Sequence, residues 1–350
     1  MPTAGGPRRA STRGGGLRGG IDLGGTKIQA VVVDGRGQVV GQEREPTPLN
    51  DGPHMVVTAM ASAMRGAAQA AGVRTSQLDG IGVGSPGGID RTAGSVASPP
   101  NLPWKDAFPI GPELAKTLGA PVFVDNDVRV AVRAEFQLGA GREFRSLLGV
   151  FWGTGVGGGI VADGRLWEGR GAAGEIGHTV IRRNGALCRC GRRGHVEAYA
   201  GRASMEERAR RLIAHGTKSV LLSVMETRGR DRMTSGVWAK ALEQDDKLAH
   251  HLVDRAVEAL ATGIASACTL LDVEAVVIGG GLGVRLGQPY TDRIAARVRP
   301  QVFLRERPPH VLLASLGDLG GAIGASLLVD EAATRAAPGN RARGRRAVSA

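Results

Sequence analysis

Apolar positions in this chain fall into short runs closed by glycine. Residues 21–40, IDLGGTKIQAVVVDGRGQVV, read as a strand, a Gly-rich turn, a strand, a tight turn and a third strand. Residues 54–71 (HMVVTAMASAMRGAAQAA) space their apolar positions at helical intervals. DGIGVGSPGGID predicts a buried strand running into a Gly/Pro loop, and PVFVDNDVRVAVRAEFQLG a strand, a polar junction and a helix. SLLGVFWGTGVGGGIVADGRLW repeats the opening order of strand, Gly-rich turn, strand and Asp-Gly-Arg turn. Residues 246–271 predict a long apolar helix, EAVVIGGGLG a buried strand ending in glycines, and residues 320–329 a helix of small residues. Strands alternating with helices define an α/β protein.

The stretches GGTKIQAVVVDGRGQVV and GTGVGGGIVADGRLW resemble each other, which points to two similarly built halves. With 350 residues the chain is long enough for two domains and a large core. The expected division is a small domain over residues 21–125, to which a helix at 318–330 returns, and a larger one over 126–317. Residues 1–20 and 331–350 read as disordered basic tails, being rich in Gly, Ala and Arg without apolar periodicity.

Charge changes this picture little. The net charge is +12, but residues 1–20 hold four Arg and no acid, and residues 331–350 hold five Arg and one Glu, so the tails carry +8 of it. Aromatics make up only 3% of the chain, which argues against a stacking platform for single-stranded nucleic acid. Few residues precede 21, so no dedicated DNA-binding domain is expected. Three cysteines without a disulfide framework fit a reducing compartment. No apolar run approaches membrane-spanning length and no signal segment is evident, so a cytoplasmic protein is expected.

Chemistry concentrates in GEIGHTVIRRNGALCRCGRRGHVE, where His178, Cys188, Cys190 and His195 stand at H-x9-C-x-C-x4-H spacing. Two thiolates and two imidazoles are a tetrahedral Zn2+ set, and four protein ligands make a closed, structural site. Glu175 and Glu197 accompany them, so a metal clip here would shape a polar pocket. The third cysteine, Cys268, reads as helix core.

Three glycine clusters follow. Asp22, Gly24, Gly25, Thr26 and Lys27 join two strands; such a turn either nests an anion on its amides, with Asp22 placed to hold Mg2+ through water, or simply closes a hairpin. Gly153, Thr154 and Gly155 satisfy G-x-G-x-x-G together with Gly158, but a strand follows instead of a helix, so the segment is a phosphate-type β-turn and not a dinucleotide fingerprint. Gly279, Gly280 and Gly281 cap a strand and would let a nucleoside approach. Asp125, Asn126 and Asp127 stand where a buried strand becomes a helix. They serve there as caps, or as a base and an orienting amide for a substrate hydroxyl.

In order, IDLGGTK, GSPGGID, NLPW, DND, GTGVGGG, GEIGH, CxCGRRG, GGGLG and GDLGGAIGA resemble the ROK family of repressors, open reading frames and sugar kinases, over about residues 21–329. The likeness is greatest to the bacterial glucokinases of that family. The resemblance implies an actin-like ATPase (ribonuclease H-like) fold of two α/β domains with a cleft between them. It implies phosphorylation of the 6-hydroxyl of glucose by Mg-ATP, with Asp127 as general base. Residues 22–27 and 153–157 match the family's phosphate loops and residues 279–281 its adenosine loop. Asn101, Asn126, Glu175, His178 and Glu197 fall on sugar-contacting positions, and Gly87 and Gly88 on the loop behind the sugar. His178, Cys188 and Cys190 match zinc ligands. His195 departs from the pattern by replacing a usual third cysteine, Arg129 stands where Asn is frequent and Asp125 where Glu is common. The family also implies a homodimer. Other readings within it are a kinase for N-acetylglucosamine, N-acetylmannosamine, fructose or allose, a polyphosphate donor, and a sugar-responsive regulator.

Overall fold

The computed structural model describes residues 16–336. In chain order its strands are β1 (Arg18–Leu23), β2 (Lys27–Val33), β3 (Val39–Pro46), β4 (Ile81–Ser85), β5 (Gly88–Asp90), β6 (Ser95–Ala97), β7 (Val122–Asn126), β8 (Leu147–Trp152), β9 (Val156–Ala162), β10 (Arg165–Trp167), β11 (Ala275–Gly279) and β12 (His310–Leu313). Its helices are α1 (Gly52–Ala70), α2 (Ile110–Leu118), α3 (Asp127–Gln137), α4 (Glu197–Ala200), α5 (Arg202–Ala214), α6 (Leu221–Thr227), α7 (Ser235–Glu243), α8 (Lys247–Leu271), α9 (Gly280–Val298) and α10 (Gly320–Ala336). The chain divides into two units. One runs to Val130 and resumes at Gly321; the other is Ala131–Gly320.

Each unit is built on a five-stranded mixed sheet of the same design. The first has the order β3-β2-β1-β4-β7 and the second β10-β9-β8-β11-β12. In both, a three-stranded antiparallel meander is extended by two parallel strands. The short sequence repeat therefore marks the second and third strands of each meander, β2–β3 and β9–β10. Parallel strands need crossover connections, and helices supply them. β4 and β11 are buried along their whole length, as central strands covered on both faces are.

Apolar periodicity explains the cores. In the first unit α1 turns Val56, Met60, Met64 and Ala67 onto Ile21, Ile28 and Ile81. In the second, α8 is apolar on so much of its surface that Leu252, Ala256, Leu260 and Ile264 are all buried, together with Trp152 and Trp238. Asp246 caps α8 by accepting the Ala249 N–H (2.7 Å).

Two boundaries differ from the sequence expectation. β1 begins at Arg18, not residue 21. Gly19 and Gly20 read as tail composition, yet Gly20 is glycine for packing: a Cβ there would sit 1.9 Å from the Ala322 carbonyl of α10. Gly82 does the same against Ala325, at 1.7 Å. Paired glycines on β1 and β4 thus let the small-residue face of α10 lie directly on the sheet. The second difference is that α10 continues to Ala336, past the expected limit. Arg18, buried, is ion-paired with Asp330 of α10. The remainder of the two expected tails, residues 1–15 and 337–350, lies outside the described residues. Among the described residues no helix is long and apolar enough to cross a membrane.

Candidate active site

In the first unit the β1–β2 turn is a closed hairpin. Gly24 donates its N–H to the Lys27 carbonyl (3.0 Å), and Thr47 ties the turn down from outside, its hydroxyl donating to the Gly24 carbonyl (2.7 Å) and its N–H to that of Thr26 (3.2 Å). Asp22 lies at the end of β1, where a Cβ on Gly321 would meet its carboxylate at 2.7 Å. The first turn of α10 therefore abuts this carboxylate, a favourable pairing of negative charge with a helix N-terminus. Gly25 abuts Asn101, whose Cβ would be 2.8 Å from an added one. Asn101 itself is held at φ +65°, a conformation few non-glycine residues adopt. Gly87, at φ +109°, and Gly88 lead into the small β5–β6 ribbon.

The β7–α3 junction separates the roles of its three polar residues. Asn126 is the helix cap: its Oδ1 accepts the N–H groups of Val128 (3.1 Å) and Arg129 (3.2 Å). Its amide nitrogen is the part of the side chain outside the cap. Asp125 is buried and faces Arg129 (3.5 Å) and Arg91 (3.6 Å), and Arg91 reaches Glu331 as well (3.1 Å). Arg129, where the resemblance leads one to expect Asn, thus serves Asp125. Asp127, the first residue of α3, is half-buried, and its Oδ1 also accepts the Val128 N–H (2.9 Å).

In the second unit the β8–β9 turn is gripped by the segment that starts α5. Arg202 donates its N–H to the Gly153 carbonyl (3.1 Å) and Ala203 donates to that of Thr154 (3.0 Å). A trans peptide points its N–H opposite its C=O. Thr154 N–H and Gly155 N–H therefore face away from α5, side by side, as an anion-binding turn requires. The Arg202 guanidinium donates to the Thr154 hydroxyl oxygen (2.8 Å) and the Met233 carbonyl (2.9 Å). With its oxygen so engaged, the Thr154 hydroxyl keeps its hydrogen to donate. Trp152 adds an indole N–H bond to the Ala200 carbonyl (2.6 Å). Glu197 closes the set by accepting the Val156 N–H on Oε2 (2.9 Å). Gly155 must be glycine here, since a Cβ would fall 2.2 Å from that same oxygen.

Packing also calls for glycine directly after β11. A Cβ on Gly279 would meet the Phe151 ring at 2.7 Å, and Gly280, at φ +81°, lies on the Trp152 backbone. Gly281 faces open space, with Ser235 Oγ 3.7 Å from an added Cβ, and its N–H is 3.8 Å from the equivalent point on Gly153. The two loops of the second unit therefore adjoin.

His178, Cys188, Cys190 and His195 come together, one ligand atom of each within 4.8 Å of all the others. Cys190 Sγ lies 3.3 Å from His195 Nδ1, and Cys188 Sγ 3.9 Å from His178 Nδ1. A tetrahedral zinc has sulfur-to-nitrogen edges of about 3.6 Å from its ordinary bond lengths, so these separations fit. Gly191 and Gly194 make the turns at φ +86° and +82°; a Cβ on Gly194 would run into the Arg182 carbonyl at 1.8 Å. Burial, first of all, pushes the Cys188 thiol up to about 12. Burial and then the neighbouring His178 hold His195 below its usual range, so its imidazole is neutral and ready to ligate. Cys188 Sγ is also 3.7 Å from Glu197 Oε1. Glu197 thus spans from the cysteine cluster to the β8–β9 turn. Glu175 is exposed and precedes the short 3₁₀ turn Ile176–His178, whose His178 N–H bonds the Glu175 carbonyl (3.0 Å).

Sequence reasoning missed Arg202. It carries no motif, and its partner Thr154 is 48 residues away. The nearest signal is a single arginine among small residues just after Glu197. On the phosphate-loop role that the family resemblance implies for this turn, Arg202→Ala should weaken nucleotide binding about tenfold or more while leaving sugar affinity near normal, because the lost guanidinium frees the Thr154 hydroxyl and the Met233 carbonyl at once. Nucleotide and sugar Michaelis constants measured separately check this, and equal changes in both would refute a role confined to the turn.

Two sheets of one design, each opening on a glycine turn between antiparallel strands, define an actin-like ATPase fold. Comparisons narrow the class. The ROK family model matches residues 18–332. A glucokinase of Halalkalibacterium halodurans is 33% identical over 326 residues, 92% of this chain and 97% of that one. An N-acetylmannosamine kinase of Haemophilus influenzae is 30% identical over 317 residues, 89% of this chain and 94% of that one. Among solved structures, a ROK glucokinase of Streptomyces griseus in complex with glucose and AMPPNP is 29% identical with a TM-score of 0.76, covering 90% of this chain and 100% of that one. The chain belongs to the ROK family.

Proposed function

We propose that this ROK-family sugar kinase transfers the γ-phosphoryl group of ATP to the 6-hydroxyl of a hexose, with glucose the preferred acceptor. The observation that carries the reading is the β8–β9 turn, whose amides and Thr154 hydroxyl are presented by hydrogen bonds to α5. Phosphoryl transfer passes through a loose transition state, so catalysis rests on positioning and charge neutralisation. Thr154, Gly155 and the residue 22–27 turn would hold phosphate oxygens, and Gly281 leaves room for the nucleoside. Asp22 is the residue to hold Mg2+, which supplies charge neutralisation when bound. Asp127 would take the proton of the attacking hydroxyl, and Asn126 would orient a neighbouring hydroxyl with its amide nitrogen. Asn101, Glu175, His178 and Glu197 would read the remaining hydroxyls. Glu197 can do so while bonded to Val156, since a carboxylate accepts about four hydrogen bonds.

His178, Cys188, Cys190 and His195 would hold a structural zinc, which supplies rigidity and no reacting group. The histidine at 195 suits this role because its side chain is buried and its Nδ1 lies beside Cys190.

Support for glucose comes from the likeness to glucokinases, and for ATP from the nucleotide analogue in the Streptomyces griseus complex. A second reading, an N-acetylmannosamine kinase, is favoured by the Haemophilus influenzae relative of nearly equal coverage. A coupled assay across glucose, N-acetylglucosamine, N-acetylmannosamine, fructose and allose, with ATP and polyphosphate as donors, separates them. Glucose with ATP should give the highest kcat/KM. A higher value for an N-acetylated sugar selects the second reading, and no sugar-dependent ADP release from metal-loaded protein removes both.

A further inference from the structure

The second unit contains a cavity of about 480 Å³ that no part of the phosphotransfer reading uses. Its rim carries Arg189, Arg193, Arg208, Arg211 and Arg255, against a single acid, Glu207. Its floor is apolar, formed by Met205, Leu252 and the ring of Tyr199, over which Arg255 stacks at 5.6 Å. Among the described residues, the guanidinium groups of Arg208, Arg211 and Arg255 pair with no carboxylate within 4.0 Å. Arg189 reaches Glu207 only at 3.9 Å, with both side chains about half exposed.

A surplus of arginine on the surface does not account for this. Elsewhere in the same unit arginines find acids: Arg210 pairs with Glu206, Arg293 with Asp254 and Arg297 with Glu258. Around the cavity like charges are crowded instead. Arg255 is held below the usual guanidinium range, first by burial and then by Arg208. A folded chain tolerates such crowding at a cost, and a bound anion removes it.

We propose that this cavity binds a small phosphorylated metabolite carrying at least two negative charges. Planar guanidinium forks match phosphate oxygens in pairs, and several of them converge here. The volume falls in the range of small-ligand pockets, and its concave shape and apolar floor suit an organic body next to the anion. The site also touches the cysteine cluster. Cys188 lines the wall, and the Tyr199 hydroxyl accepts the Ala186 N–H (2.9 Å), tying α4 to the loop that carries both cysteines. An anion shared by Arg189 and Arg193 on that loop and Arg208 on α5 would steady the loop against the helix.

The inference does not depend on the phosphotransferase reading, and its test needs no turnover. Full-length, metal-loaded protein is titrated calorimetrically with pyrophosphate, then with inorganic phosphate and with sulfate at matched ionic strength. The double variant Arg208→Ala/Arg255→Ala is titrated alongside. The expected result is saturable pyrophosphate binding that weakens about tenfold to a hundredfold in the variant, with cooperative melting retained. Should that variant fold poorly, Arg208→Gln alone, at an exposed position, should still weaken binding several-fold. Undetectable binding by the parent protein, equal binding by the variants, or sulfate binding as tight as pyrophosphate would each overturn the proposal.

Discussion

Asp127→Asn should bind sugar normally and lose turnover by about 10²–10⁴-fold, the usual effect of removing a general base. Amide and carboxylate are nearly isosteric, and Asn keeps the oxygen that accepts the Val128 N–H. The helix start should therefore survive, and the cap itself rests on Asn126, whose oxygen takes two N–H groups. That separation of roles makes the variant a clean probe. Sugar affinity by fluorescence or calorimetry and kcat by coupled assay are the two measurements. Near-normal kcat would mean that Asp127 only begins the helix. Asp125→Asn is the control, with the opposite expectation. Asp125 is buried against Arg91 and Arg129, so its loss should lower stability by roughly 1–3 kcal/mol, while folded molecules keep most of their turnover.

The second large effect concerns metal. Purified protein should hold about one zinc per chain, and Cys188→Ala should abolish retention, because Cys188 is buried at the heart of the cluster and a methyl group cannot ligate. Zinc sites of this type contribute on the order of 10 kcal/mol to local folding, so the melting temperature should fall markedly, as it should on chelation of the parent protein. His195→Cys should keep the metal. His195→Ala should retain it weakly and raise the sugar Michaelis constant about 10–100-fold, the scale of effects for groups that support a metal site. Since Glu197 connects Cys188 with Val156, the nucleotide constant should rise along with it. Elemental analysis with both Michaelis constants decides the matter: full zinc and unchanged constants in His195→Ala would make His195 a loop residue only.

Much of the architecture was legible because it rests on local periodicity. The strand-turn-strand repeats at residues 21–40 and 147–167 read directly as the opening meanders of two equivalent sheets. The long helix at 246–271 appears as α8, Lys247–Leu271. Boundaries were less legible where packing overrules composition. Gly19 and Gly20 look like linker, and nothing near them in sequence reveals that Ala322 lies on top. The glycines at 279 and 280 read as a ligand loop, and only the packed structure adds a second reason for them, the closeness of Phe151 and Trp152.

By itself the sequence determined the two strand-turn-strand openings, the glycine turns, the zinc-type ligand set and the acids beside it, because each follows from residue types at short, fixed spacings. Tertiary structure alone decided which of those groups meet. It gave the cap to Asn126 and the ion pairs to Asp125, and it placed Arg202 on Thr154 across 48 residues and Glu197 on Val156 across 41. It also gathered a surplus of arginines from a loop and two helices around one cavity. Hydrogen bonds and ion pairs depend on separations of a few ångströms and leave no periodic trace along the chain, so only the packed sheets and helices bring such partners within reach of each other.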